Sequence, residues 1–397
     1  MSVSKRVQQL TPSATLATAA KAQQLKDQGI DVISLTLGEP DFHTPKHIQQ
    51  AAIQAITDGV ASFYTASTGM KQLKQGILDR TKADIGVAYE LDEVVVTHGA
   101  KFGLYSLFQA LLDPEDEVII PAPYWVSYVE QVKLAEGVAK KLVPKSAHQF
   151  KVTLAELEAL RSEKTKALVL TSPSNPTGAV YTKEELVDIG QWAVRHNIYI
   201  IADEIYGKLV YNGMVFHSLA SLGEQIKKQI LLINGVSKAY SMTGWRIGYV
   251  LGDQEIIAGI GAVASQATSN PATVSQYAAL EALTGPQDKV EEMRLAFEER
   301  LNVIYPLVKA LPGVKLTKPE GAFYLFPDVK ETVALCGYSD TQSFVDALLE
   351  EAHVAVVAGA GFGAPDHIRL SYATDLETLK EAVKRMQHFI EKKSKKV

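Results

Sequence analysis

At 397 residues the chain exceeds the size at which one hydrophobic core stops growing, so two domains are expected. Hydrophobic residues at 47% and charged residues at 21% are ordinary for a folded protein and argue against long disorder. The formal net charge of -5, without a basic stripe, argues against a nucleic-acid binder.

Cys336 is the only cysteine, so no intramolecular disulfide is possible, and a small buried hydrophobe is its simplest reading. No Cys/His cluster has metal-ligand spacing, and no metal is expected. The N-terminal residues lack the compact apolar stretch of a signal peptide, and no run approaches the ~18 apolar residues of a membrane span. A cytoplasmic location is expected.

Short β-branched runs alternate with helical stretches along the first two thirds of the chain. Strands are predicted at 93–97, 117–120, 167–171, 199–202, 230–234 and 248–251. An amphipathic stretch at 102–112 follows the first. The segment 182–196 carries Leu186, Ile189 and Ala193 at helical spacing and opens as a capping box, Thr182 with Glu185. Such alternation implies an α/β layer with a largely parallel sheet covered on both faces. After the turn pair Gly285-Pro286 the pattern changes. A helix is predicted at 289–311, then strand 322–326, helix 341–351, strands 354–357 and 367–372, and helix 376–392. This reads as a smaller α+β domain, and the Lys-rich run 392–396 as a solvated helix end. Residues before Thr44 form either an arm or part of the small domain.

In open parallel sheets, ligands bind at the carboxyl ends of the strands. Asn175, Asp203 and the pair Ser237-Lys238 each follow a predicted strand, as do Gly99 and Ala100. A lysine placed there among small residues is desolvated, which lowers its pKa and frees the neutral amine that Schiff-base chemistry needs. Arg246 offers a fixed fork of donors suited to phosphate oxygens. Small residues at a helix start, as in 98–101, let backbone N–H groups reach a phosphate.

The segment 235–248, GVSKAYSMTGWRIG, resembles the cofactor-lysine signature of class I pyridoxal-phosphate (PLP) aminotransferases. GEPDF at 38–42, SPSNPTG at 172–178, ADEIY at 202–206 and RLSY at 369–372 resemble further motifs of that family, in family order over most of the chain. The bacterial aspartate aminotransferase branch is the most similar. The resemblance implies the aspartate aminotransferase-like fold: a mostly parallel seven-stranded sheet in a large PLP-binding domain, plus a smaller α+β domain. It implies boundaries at 1–44 (arm and part of the small domain), 45–286 (large domain) and 287–397 (small domain).

The same resemblance implies the site. Lys238 would carry the cofactor as a Schiff base and then act as the general base, Asp203 would pair with the pyridine nitrogen, and Tyr206 and Asn175 would hydrogen-bond the ring hydroxyl. Trp125 would stack on the ring; Gly99, Ala100, Lys101, Ser237 and Arg246 would surround the phosphate. Tyr64 would reach the phosphate of a neighbouring subunit, which implies a homodimer. Arg369 and Gly38 would receive the α-carboxylate, with Trp125 and Asn175 beside it; Lys101 is the candidate for a second carboxylate, and Ser13 and Thr15 would close over the substrate. The implied activity is ping-pong transfer of the amino group of L-aspartate, or a related amino acid, to 2-oxoglutarate. An aromatic or broad-specificity aminotransferase, or a PLP-dependent carbon–sulfur lyase, shares these motifs. A PLP-sensing regulator lacks room for a DNA-binding domain ahead of Gly38, and no GxGxxG supports NAD binding.

Overall fold

The computed structural model describes residues 3–11, 14–144 and 149–395. Its strands, in chain order, are β1 (Ile33–Ser34), β2 (Val94–His98), β3 (Glu117–Pro121), β4 (Val138–Leu142), β5 (Thr165–Thr171), β6 (Tyr199–Asp203), β7 (Ile230–Gly235), β8 (Ile247–Leu251), β9 (Tyr324–Leu325), β10 (Val354–Ala355), β11 (Val357–Ala358) and β12 (Ile368–Ser371). Seven of them form the main sheet, in the order β2-β8-β7-β6-β5-β3-β4. The inner strands are apolar on both faces: Ile230, Leu231 and Ile233 of β7 and Ile247, Val250 and Leu251 of β8 are fully buried. Helices cover both sides, so the strands read as continuous hydrophobic runs rather than as alternation.

Strands β3 to β7 pair in parallel. Strand β8 alone runs antiparallel to both of its neighbours, β2 and β7. Two antiparallel steps restore direction, so β2 ends on the same edge as β3, β5, β6 and β7. The start of β8 lies on that edge as well, with Ile247 opposite His98 and Gly248 opposite Gly235. Residues that follow the parallel strands and the residue that precedes β8 therefore converge.

The other expected strands are present within a residue or two, the one expected at 354–357 is divided into β10 and β11, and β1 and β4 are additions, β4 the longer. Its sequence, VAKKL, has no apolar run because it lies at the sheet edge with Val138 and Lys141 exposed. The expected capping box forms at the start of helix Lys183–His196, where Thr182 and Glu185 satisfy each other's backbone N–H.

A second group of elements surrounds helices Asp288–Lys309, Thr341–Ala352 and Leu376–Ser394. Strands β11, β12 and β9 form an antiparallel sheet there, and β1 pairs in parallel with β10. Phe297, Phe323, Phe344 and Phe389 fill this core together with Ile33 and Leu35 from the beginning of the chain. The turn after β1 is tied down by Arg300, whose guanidinium donates to both carboxylate oxygens of Asp41 at 2.7 and 2.9 Å. Arg300 also lies 4.9 Å from the Phe42 ring and 5.3 Å from that of Phe297. Among the described residues, no helix is long and apolar enough to cross a membrane.

Candidate active site

A cavity of about 380 Å³ opens at the edge where the strand ends meet. Lys238, just after β7, lies half-buried within it, and its ammonium donates to the Gly38 carbonyl. Burial pushes the Lys238 pKa down to about 8. Asp203 ends β6 on the cavity wall. Tyr128 Oη donates to its Oδ2 at 2.5 Å, and the Ile205 amide donates to Oδ1 at 3.2 Å. Both donors are neutral. Burial holds the Asp203 carboxyl above its ordinary range, with the Tyr128 hydrogen bond opposing it.

At another part of the wall, helix Gly99–Leu111 begins directly after β2. Gly99 has a φ of +75°, and a Cβ there would overlap the Arg246 guanidinium. Glycine is thus required twice over, by conformation and by space. Arg246 arrives from the start of β8 and donates to the Thr243 carbonyl at 2.7 Å. The helix start, Ser237 and Arg246 together form a cradle with an anion's complement of donors. Lys101 and Trp125 share the same cavity, with Lys101 Nζ 5.1 Å from the Trp125 ring. Burial, then the charge of Arg246, lowers the Lys101 pKa.

Arg369, on β12, is 2% exposed. Its Nη1 donates to Asn175 Oδ1 at 3.0 Å and its Nη2 to the Thr36 carbonyl at 2.7 Å. Its Nε is buried with no hydrogen-bond partner among the described residues. An orphaned donor on a buried guanidinium that lines a cavity is what a carboxylate ligand would satisfy.

The residues singled out from the sequence thus meet in one place: Gly38, Ala100, Lys101, Trp125, Asn175, Asp203, Tyr206, Ser237, Lys238, Arg246 and Arg369 all line the cavity, and Gly99 abuts Arg246. Tyr64 does not line it and is 90% exposed. Ser13 and the side chain of Thr15 lie outside the described residues. Tyr128 and Tyr324 are among the lining residues that escaped the sequence reading. Tyr128 and Tyr324 look like core aromatics in sequence, and both are buried. Position offers a weak signal for each: Tyr128 begins the helix after β3, and Tyr324 follows Phe323 in a strand of the second core.

A part-buried lysine with a lowered pKa, a buried acid hydrogen-bonded by neutral groups and an anion cradle define the cofactor-and-substrate site of a PLP enzyme with amino-acid substrates. The sequence profile of the family "Aminotransferase class I and II" matches residues 30–386, and the chain belongs to this family of PLP-dependent aminotransferases. It is 55% identical to an asparagine–oxo-acid transaminase of Streptococcus mutans, over 98% of this chain and 99% of that protein. Its identity to an aspartate aminotransferase of Bacillus subtilis is 51%, over 99% and 100%. An aspartate aminotransferase from Thermus thermophilus, solved with maleate, superposes with a TM-score of 0.93 at 41% identity, over 98% of this chain and all of that one.

Proposed function

We propose that the chain transfers the amino group of L-aspartate to 2-oxoglutarate. The observation that carries this reading is the meeting of Lys238, Asp203 and the half-satisfied Arg369 in one buried cavity. Bound there, PLP would supply the electron sink that weakens an amino acid's α-C–H bond. The residues fit the cofactor. The helix start at 99–101, Ser237 and Arg246 would hold its phosphate. Asp203, hydrogen-bonded only by neutral groups, would supply the negative charge that keeps the ring nitrogen protonated. Asn175 and Tyr206 would hydrogen-bond the ring hydroxyl, and Trp125 would lie against the ring.

Arg369 grips the α-carboxylate through its open Nε, and Gly38 lets the backbone come close. Lys238, with a pKa near 8, holds a neutral fraction at physiological pH and moves the proton from the α-carbon. Lys101 offers a cation for the second carboxylate. The exposed Tyr64 belongs at a homodimer interface, and the location is cytoplasmic. Residues 45–286 form the cofactor domain; 287–397 form the small domain, to which 1–44 contributes part, a division supported by the pairing of β1 with β10.

Asparagine as donor is a second reading, favoured by the Streptococcus mutans relative. The test is the visible spectrum of the PLP-loaded protein with each amino acid in turn. Loss of the visible band with aspartate, and its return with 2-oxoglutarate, supports the proposal. A response to asparagine alone moves the assignment to the second reading. Lys238→Ala turning over aspartate at the wild-type rate would refute both.

A further inference from the structure

Tyr324 touches three parts of the proposed machinery. It is fully buried on β9, held opposite Ser371 of β12, two residues beyond Arg369. Its ring lies under the Arg369 guanidinium, 4.6 Å from ring centre to Cζ, and Phe362 lies 5.0 Å away. Its hydroxyl is 2.9 Å from the Tyr206 hydroxyl, and either can donate. The same oxygen packs against Gly38: a Cβ at position 38 would fall 2.6 Å from it.

We propose that Tyr324 is a positioning residue with separable ends, its ring orienting Arg369 for the substrate carboxylate and its hydroxyl orienting Tyr206 toward the cofactor. The inference rests on the aminotransferase reading above. Asn175 and Thr36 hold the Nη atoms of Arg369, and the Tyr324 ring restrains the plane of the guanidinium, which directs Nε. At the other end, a tyrosine pair has two protons. One lies between the oxygens, and the other remains available to the cavity. When Tyr324 donates, the Tyr206 proton is the available one. Tyr324 thereby decides whether Tyr206 can donate to a cofactor oxygen. A side chain at position 38 would push on this hydroxyl, so glycine there leaves the tyrosine pair undisturbed.

The ends are separated by two variants. Tyr324→Phe keeps the ring and removes the hydroxyl. It is expected to shift the pH midpoint of the cofactor's visible band and to lower kcat, with the KM for aspartate within about twofold, since the cation–ring contact survives. Tyr324→Leu removes the ring as well and is expected to raise that KM roughly five- to thirtyfold, the range of a desolvated cation–ring contact. The control is Tyr206→Phe, alone and combined with Tyr324→Phe. The spectral shift of Tyr324→Phe should vanish in the Tyr206→Phe background, because the hydroxyl acts through Tyr206.

A shift of undiminished size in that background would overturn the proposal, as would Tyr324→Phe matching wild type in spectrum and kcat. If Tyr324→Leu does not fold, the near-isosteric phenylalanine pair still decides. A wild-type protein that binds PLP but ignores every amino acid would instead refute the function, so the two failures are distinguishable.

Discussion

Replacing Tyr128 by phenylalanine isolates what holds Asp203 in its charged state. The tyrosine hydroxyl donates to Asp203 Oδ2 at 2.5 Å and lies 2.8 Å from the Thr171 hydroxyl, which completes the chain by donating to it. The site is buried, so no bulk water replaces the lost donor. A hydrogen bond to a charged group is worth about 1.5–3 kcal/mol, and each 1.36 kcal/mol is tenfold. Burial already raises the Asp203 pKa, with the Tyr128 bond opposing it. Losing that bond should raise the pKa further. A carboxyl that keeps its own proton supplies less negative charge to stabilise a protonated ring nitrogen. The expected result is a kcat/KM for aspartate lowered roughly ten- to hundredfold, with PLP still bound. Steady-state kinetics at neutral pH, beside a melting curve to show the fold intact, measures this. A variant within twofold of wild type would refute the reasoning: Asp203 would then owe its charge to something other than Tyr128.

Other perturbations read other walls of the cavity. Arg369→Lys keeps the charge but loses the fork, and kcat/KM for dicarboxylic amino acids should fall about a hundredfold, since about 3 kcal/mol of charged hydrogen bonding goes with it; initial-rate kinetics with aspartate checks this. Gly99→Ala forces alanine to a φ of +75° and into the Arg246 guanidinium. The backbone alone costs about 1–2 kcal/mol, so PLP affinity, measured by titration of the cofactor-free protein, should drop at least tenfold. Glu204, buried beside Asp203, has its pKa pushed by burial from 4.5 to about 8. Between those values the folded form keeps a proton that the unfolded chain releases, so this group's contribution to stability falls as pH rises across the window. Glu204→Gln should therefore raise Tm relative to wild type at pH 8 and not at pH 4, as read by thermal melts of the cofactor-free protein; an equal change at both pH values would contradict the buried-acid account.

Much of this architecture was legible in the sequence because inner parallel strands are apolar on both faces, and runs such as 230–234 have no helical alternative at that length. The polar residues after them stood out for the same reason, by contrast with what preceded them. Strand β4 was illegible because an edge strand rich in lysine has no apolar signature. Tyr128 and Tyr324 were illegible for a different reason. A buried tyrosine is core or site according to what its hydroxyl reaches, and their partners lie 75 and 118 positions away in the chain. Nor does periodicity reveal that β8 runs against its neighbours, although that reversal is what brings Arg246 to the helix start.

The pairing of β1 with β10 sets an order on how the protein comes into being. Every residue proposed to hold the cofactor in this chain lies between Gly99 and Arg246, so those parts have all left the ribosome long before β10 exists. The carboxylate grip, by contrast, joins Arg369 to the carbonyl of Thr36, 333 residues earlier. The segment around Thr36 must wait, unpaired, for one 333 residues further on. A growing chain can complete its cofactor cradle first, and it gains a grip on amino acids only once the strand that carries Arg369 has been made.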